Sequence, residues 1–178
     1  MKLIIASDIH GSAYYTRRLL DAVRVESPDL VVLLGDVYNH GPRNPLPAEY
    51  NPMAVASLLN AVADRLLVIK GNCDSEVDQM ISRFHFVESA VVYLGATPLY
   101  FTHGHVFNAE RLPAVPTGAV LVHGHTHVVT NVQAGGVRVL NPGSLSLPKD
   151  GRRAYLIADE TSIRFIDIDS GEFDRISL

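Results

Sequence analysis

The chain has one cysteine, Cys73, so no internal disulfide can form; a lone thiol fits a reducing compartment. It also lacks a basic excess. Fifteen Lys and Arg against 19 Asp and Glu give a formal charge of −4, which argues against a broad face for a nucleic-acid polymer. A phosphate substrate stays open, because bound metal ions would supply local positive charge. No apolar run approaches the ~20 residues of a membrane helix. The N-terminal run in M-K-L-I-I-A-S-D-I-H is brief and ends in an acidic and histidine pair. It therefore reads as a first strand rather than a signal peptide. No membrane partner and a cytoplasmic location are expected. There is no internal repeat and no low-complexity segment.

What is present fits one compact domain spanning residues 1–178, with 47% hydrophobic and 19% charged residues. The first half alternates short apolar runs with helical patterns, as a layered α/β fold does. Strands are expected at Lys2–Ser7, Leu30–Leu34 and Leu66–Lys70. The second is apolar at every position, as a strand buried on both faces should be. Ser12 reads as the N-cap of a helix to about Val25, with Leu19, Leu20 and Val23 inward and Pro28 ending it. Pro52 opens another, with Val55, Leu58, Leu59 and Val62 at helical spacing. Ser75-x-x-Asp78 resembles a capping box for a helix to about Phe84. Val37–Asn51, with Gly41, Pro42, Pro45 and Pro47, is too broken for a regular element. After Val87 the pattern changes to short strands, expected near Ala90–Leu94, Leu99–Thr102, Ala119–Val122, Val137–Leu140, Ala154–Ala158, Ile163–Ile168 and Phe173–Ile176. One short helix is expected near Ala109–Leu112. The total suggests two packed sheets with helices outside.

Seven residues of metal-ligand type lie at the ends of five of these runs: Asp8 and His10, Asp36, Asn72, His103, and His125 and His127. Parallel α/β sheets bind ligands outside the carboxyl ends of their strands. In an extended backbone, Asp8 and His10 would point the same way and could share one ion. Alone, D-x-H is a weak signal. Asp36 could equally be a cap or a loop residue, although a carboxylate after so apolar a strand needs a partner. His123-Gly124-His125-Thr126-His127 is the strongest local signal, since alternating imidazoles are hard to explain as core filling. In His103-Gly104-His105, only His103 is expected to touch a metal, with His105 behind it or donating a proton. The donors are oxygen and nitrogen without thiolate, which suits Mn, Fe, Co, Ni or Zn rather than Ca or a cysteine-type zinc.

The ordered set D-x-H, G-D, G-N-C-D, T-H-G-H, H-G-H-T-H and N-P-G-S closely resembles the calcineurin-like metallophosphoesterase superfamily and, within it, the small bacterial YfcE-type phosphodiesterases. Gly35–Asn44, Gly71–Met80 and Asn141–Ser144 carry the likeness, which covers nearly the whole chain. The resemblance implies a four-layer αββα sandwich of two mixed β-sheets flanked by helices. It implies two divalent ions, Mn(2+) first among them: one bound by Asp8, His10, Asp36 and His127, the other by Asp36, Asn72, His103 and His125, with Asp36 bridging. Asp36, Asn72 and His103 would serve catalysis directly. The implied activity is phosphodiester hydrolysis, a hydroxide between the metals attacking phosphorus. Relatives in this branch look like small homo-oligomers. A second reading of the same fold is a protein-binding scaffold like the retromer subunit.

Most of the superfamily has histidine after the metal-binding asparagine, where this chain has Cys73. Cys73 reads first as a small buried residue. As a stand-in for an imidazolium donor it would be poor, so rates should fall steeply as the leaving-group pKa rises. The loop after Asp36 should overhang the metals: Arg43 could hold a phosphate oxygen, and His40 and Asn72 could contact substrate. Alternatively, Arg43 pairs with Glu49 or lies in solvent. Asp74 reads first as a helix N-cap and second as a carboxylate behind the ligands. Asn141–Ser144 should shape a tight loop that orients His125 or His127. Small phosphodiesters fit better than a long polymer as substrate.

Overall fold

The protein is described by a computed structural model covering residues 1–178. It forms two mixed sheets. The strands are β1 (Leu3–Ala6), β2 (Leu30–Leu33), β3 (Leu66–Ile69), β4 (Phe86–Val87), β5 (Ala90–Leu94), β6 (Thr97–Phe101), β7 (Val120–Val122), β8 (Val129–Ala134), β9 (Val137–Pro142), β10 (Ala154–Ala158), β11 (Ser162–Asp167) and β12 (Gly171–Ser177). The helices are α1 (Ala13–Glu26), α2 (Pro52–Asn60) and α3 (Glu76–Ile81). One sheet has the order β12-β11-β10-β1-β2-β3-β4 and the other β5-β6-β7-β9-β8. The runs β1-β2-β3-β4 and β6-β7-β9 are parallel; the remaining neighbours are antiparallel.

Parallel neighbours need a crossover, and α1, α2 and α3 supply three of them. Ser12 caps α1 as expected, its Oγ accepting from Tyr15 N at 3.3 Å. Ser27, just before Pro28, closes the helix in the left-handed region. The alternation along β1 and β2 builds two cores at once. Ile4, Ala6, Val31 and Leu33 face α1 and α2, meeting Leu19, Val23, Val55 and Leu59. Leu3, Ile5, Val32 and Leu34 face the second sheet, meeting Leu99, Phe101, Val120 and Val122. Each such Leu, Ile or Val contributes roughly 1.5–3 kcal/mol of burial, so the sheets are locked in one register.

The sandwich expected from sequence is present, with three differences. The expected helix near Ala109–Leu112 is absent; an irregular segment between β6 and β7 covers the second sheet instead, laying Leu112 and Val115 on Leu121, Val137 and Val139. α3 stops at Ile81 rather than near Phe84. β4 and β8 are strands that no expectation included. No helix is long and apolar enough to cross a membrane.

Candidate metal centre

The parallel runs of the two sheets end on the same rim. Asp8 and His10 follow β1, Asp36 follows β2, Asn72 follows β3, His103 follows β6, and His125 and His127 follow β7. The strand ladders continue past the regular elements: Asp8 N donates to Gly35 O, His10 N to Asp36 O, and Gly124 N to His103 O at 2.7 Å. Ligand groups also tie the sheets together. Asp8 Oδ2 accepts from Ser7 Oγ at 2.5 Å and from His125 N at 2.9 Å. Asp8 O accepts from both Ser144 Oγ and Ser146 Oγ.

Asp8 and His10 converge, but not by extended alternation. Asp8, His10, Asp36, His125 and His127 all have φ between 49° and 68°, five of the seven non-glycine residues with positive φ. Asp and His tolerate this left-handed region better than most residues, yet it costs energy at each. Strain of this kind clusters where surrounding structure forces a functional geometry. The turns redirect successive side chains from the strand axis into one space.

In that space, lone pairs face lone pairs. His10 Nδ1 donates to Asn39 O, His103 Nδ1 to Leu34 O and His127 Nδ1 to Leu147 O, at 2.7, 2.7 and 2.8 Å. A carbonyl can only accept, so each neutral imidazole presents a bare Nε2 to the centre. His10 Nε2 lies 3.0 Å from His127 Nε2, which lies 3.2 Å from Asp8 Oδ1. His103 Nε2 lies 3.0 Å from Asn72 Oδ1. Asp8 Oδ1 is buried with no hydrogen-bond donor. Only protons or a cation can fill such a constellation, and these residues fit a divalent metal. Two ligand clusters, Asp8–His10–His127 and Asp36–His103–His125, each bring their donor atoms within 4.8 Å of one another. Asp36 Oδ2 stands 3.8 Å from His10 Nε2 and 3.5 Å from His103 Nε2, between the clusters.

The charges are mutually supporting. Burial would raise Asp8, but the His10 and His127 imidazoles beside it, with the positive charge of His103, outweigh it and hold its carboxyl well below the usual range. Asp36 is likewise lowered, His103 prevailing over burial. Burial would lower His103, but Asp36 and Asp8 push it up to about 9. His125 is lowered by burial and by His103, which keeps its imidazole neutral. Cys73 is pushed up to about 12 by burial and the Asp36 charge. Without metal its thiol stays protonated, and it joins His10 and Asp36 in a third grouping of possible ligands.

Two residues, Asp74 and His40, are placed differently from the leading sequence reading. Asp74 is not the cap of α3; Ser75 is. Asp74 is buried and accepts from Asp36 N, Val37 N and Gly71 N at 2.8, 2.8 and 2.7 Å, clamping the loops after β2 and β3 together. His40 packs edge-on against Tyr50, with its Nδ1 buried, and is not among the residues lining the cleft over the centre. His105 is exposed, its ring 5.4 Å from that of His103 and 6.2 Å from that of His125. Arg43 does line the cleft above Asp36, while Glu49, its alternative partner, pairs with Arg17. Asn141, near the carboxyl end of β9 rather than in a loop, donates to Gly124 O and Thr126 Oγ1, fixing the histidine turn. Lys149 and Thr126 also line the cleft. Lys149 carried no sequence signal, and Thr126 was legible only as a member of the histidine motif around it.

Residues 1–162 match the model of the calcineurin-like phosphoesterase superfamily domain. The chain is 49% identical over 157 residues to phosphodiesterase YfcE of Escherichia coli K12, covering 86% of this chain and 84% of that one. It is 29% identical over 125 residues to the probable metallophosphoesterase YsnB of Bacillus subtilis, covering 61% and 68%. The solved structure of YfcE, a phosphoesterase from E. coli, superposes with a TM-score of 0.95 at 42% identity over 99% of both chains. Vps29 of Entamoeba histolytica shares the fold, with a TM-score of 0.63 at 18% identity over 100% and 99%.

Proposed function

The chain belongs to the calcineurin-like phosphoesterase superfamily, and on that premise we propose that it is a metal-dependent phosphodiesterase acting on small phosphodiesters through a dinuclear centre. One observation carries the reading: buried acceptors face one another in two clusters, with Asp36 Oδ2 between them. Asp8, His10, Asp36 and His127 would hold one divalent ion and Asp36, Asn72, His103 and His125 the other, Mn(2+) being favoured over Zn(2+), Fe, Co(2+) or Ni(2+). Such a pair would acidify a shared water and neutralise phosphate charge. A water oxygen then bonds to phosphorus, one P–O ester bond breaks, and an alcohol and a phosphomonoester result.

The chain's own groups set the rest of the chemistry. Asp36 holds its position through Cys73 N, which donates to Oδ1 at 2.8 Å. Asn72 and His103 are the catalytic candidates beside it. Arg43 is suited to a non-bridging phosphate oxygen. A thiol with a pKa near 12 at Cys73 is a weak acid beside the departing alcohol. The reading therefore favours esters with good leaving groups.

The test is hydrolysis of bis(p-nitrophenyl) phosphate by protein reconstituted with Mn(2+), together with bound-metal content. Asp36→Asn and His127→Ala should each abolish turnover and lower metal content. Turnover surviving both substitutions would overturn the proposal, and a folded protein with full metal content but no turnover would favour a scaffold role.

A further inference from the structure

The cleft over the centre has a volume of about 840 Å³, and only one of its 12 lining residues is hydrophobic. None is Phe, Tyr or Trp, so the cleft has no large aromatic platform for a nucleobase and no apolar wall for an acyl chain; its planar groups are Arg43 and the ligand histidines His125 and His127. Two cations line it, Arg43 and Lys149. Asp36, between the ligand clusters, is its one acidic lining residue. Lys149 is anchored beside the histidines, its backbone N donating to His127 O at 2.9 Å. Its acidic neighbour Asp150 is turned elsewhere, accepting from Val129 N and Arg152 N. Lys149 is exposed and forms no ion pair, so its ammonium is free to reach into the cleft that the residue lines.

Resting on the phosphodiesterase reading above, we infer that this cleft selects diesters whose second alcohol is hydrophilic and carries its own anionic group, which Lys149 receives while the phosphodiester sits over the metal ligands. A diester needs only one phosphate's worth of cationic contact, which Arg43 and ions held by the two ligand clusters would supply. Lys149, from a different loop, is a second charge with no carboxylate to meet. A cation that faces a polar, water-filled cleft without a partner costs nothing while empty and gains a charge-assisted hydrogen bond when an anion arrives.

The experiment uses full-length protein loaded with Mn(2+) and a set of p-nitrophenyl phosphodiesters. The second alcohol is ethanol, 3-hydroxypropanoate, choline or the 5′-hydroxyl of thymidine. The leaving group is constant, so differences in kcat/KM report recognition. The carboxylate ester is expected to exceed the ethyl ester by about fivefold, mostly through KM, as one exposed charge pair allows. The choline and thymidine esters should fall at or below the ethyl ester. Lys149→Met should bring the carboxylate-to-ethyl ratio to about one and Lys149→Glu should invert it in favour of choline. The ratio is taken within each variant, so a general loss of activity does not imitate the effect. Equal hydrolysis of all four esters, a preference for thymidine, or a ratio untouched by Lys149→Glu would overturn the inference and leave the diesterase reading standing. Hydrolysis of none would overturn that reading and the inference with it.

Discussion

Gly124 is where the second sheet's histidine turn comes closest to the first sheet: a Cβ there would lie 1.8 Å from Ser7 Oγ and 2.5 Å from Asp8 Oδ2. Gly71 stands in the same relation to Asp36, its Cβ falling 2.2 Å from Oδ1. These glycines let ligands from different strands share one space. Gly124→Ala must displace the Asp8 carboxylate, so it is expected to destabilise the fold by about 1–3 kcal/mol, as overpacking does, and to lower bound metal further than that cost explains. Urea denaturation alongside metal analysis separates the two effects. Cys73 gives a second expectation. With a weakly acidic thiol as the cleft-lining group at this position, rates across a series of aryl diesters should fall steeply with leaving-group pKa, and Cys73→His should flatten that slope. A slope already flat in the unsubstituted protein would contradict it.

At the scale of elements, the loops after β1 and β2 depend on how α1 begins. Ser12 Oγ accepts from Tyr15 N and donates to Ala48 O at 2.6 Å, while Ala13 N donates to Glu49 O and Asn51 N to Gly11 O. The helix start thus pins the far end of the Pro-rich loop that carries Arg43. Ser12→Ala is expected to cost about 1–2 kcal/mol in denaturant unfolding and to raise KM for a diester, since that loop loses an anchor. The elements best read from sequence were those with strong local signals: β1, β2 and β3 from unbroken apolar runs, and α1 and α2 from caps and periodicity. β8 escaped because it is a half-exposed edge strand with the mixed pattern V-T-N-V-Q-A. The Gly135-Gly136 turn between it and β9, with positive φ at both residues, was the available hairpin signal. The ligand residues were legible because they sit at strand ends. The left-handed turns that aim them were not, nor was the packing of His40 on Tyr50, because both are set by contacts distant in sequence.

For the molecule as a whole, the ligand charges make stability depend on pH and metal together. His103 has a pKa raised from 6.5 to about 9, so without metal its contribution is complete below about 6.5 and is lost as pH rises through 9. Asp8 and Asp36 are lowered, so theirs is present above their usual range near 4 and is lost as pH falls through the lowered values. These contributions coincide between about pH 4 and 6.5, and metal-free protein should lose the His103 contribution toward pH 9. Metal replaces those protons, so the gap in melting temperature between loaded and chelated protein should widen across the same interval. A gap that narrows from pH 6.5 to 9 would refute this. The ligand set also has a mechanical side. Four of its members hang from β1, β2 and β3 and three from β6 and β7, so any ion bound by Asp36 together with His103 and His125 is a clasp across the open end of the sandwich. Chelation should then speed amide exchange at the carboxyl ends of β2 and β7 and leave β11 and β12 unchanged, so the molecule would begin to unfold as a book opens, from its functional edge.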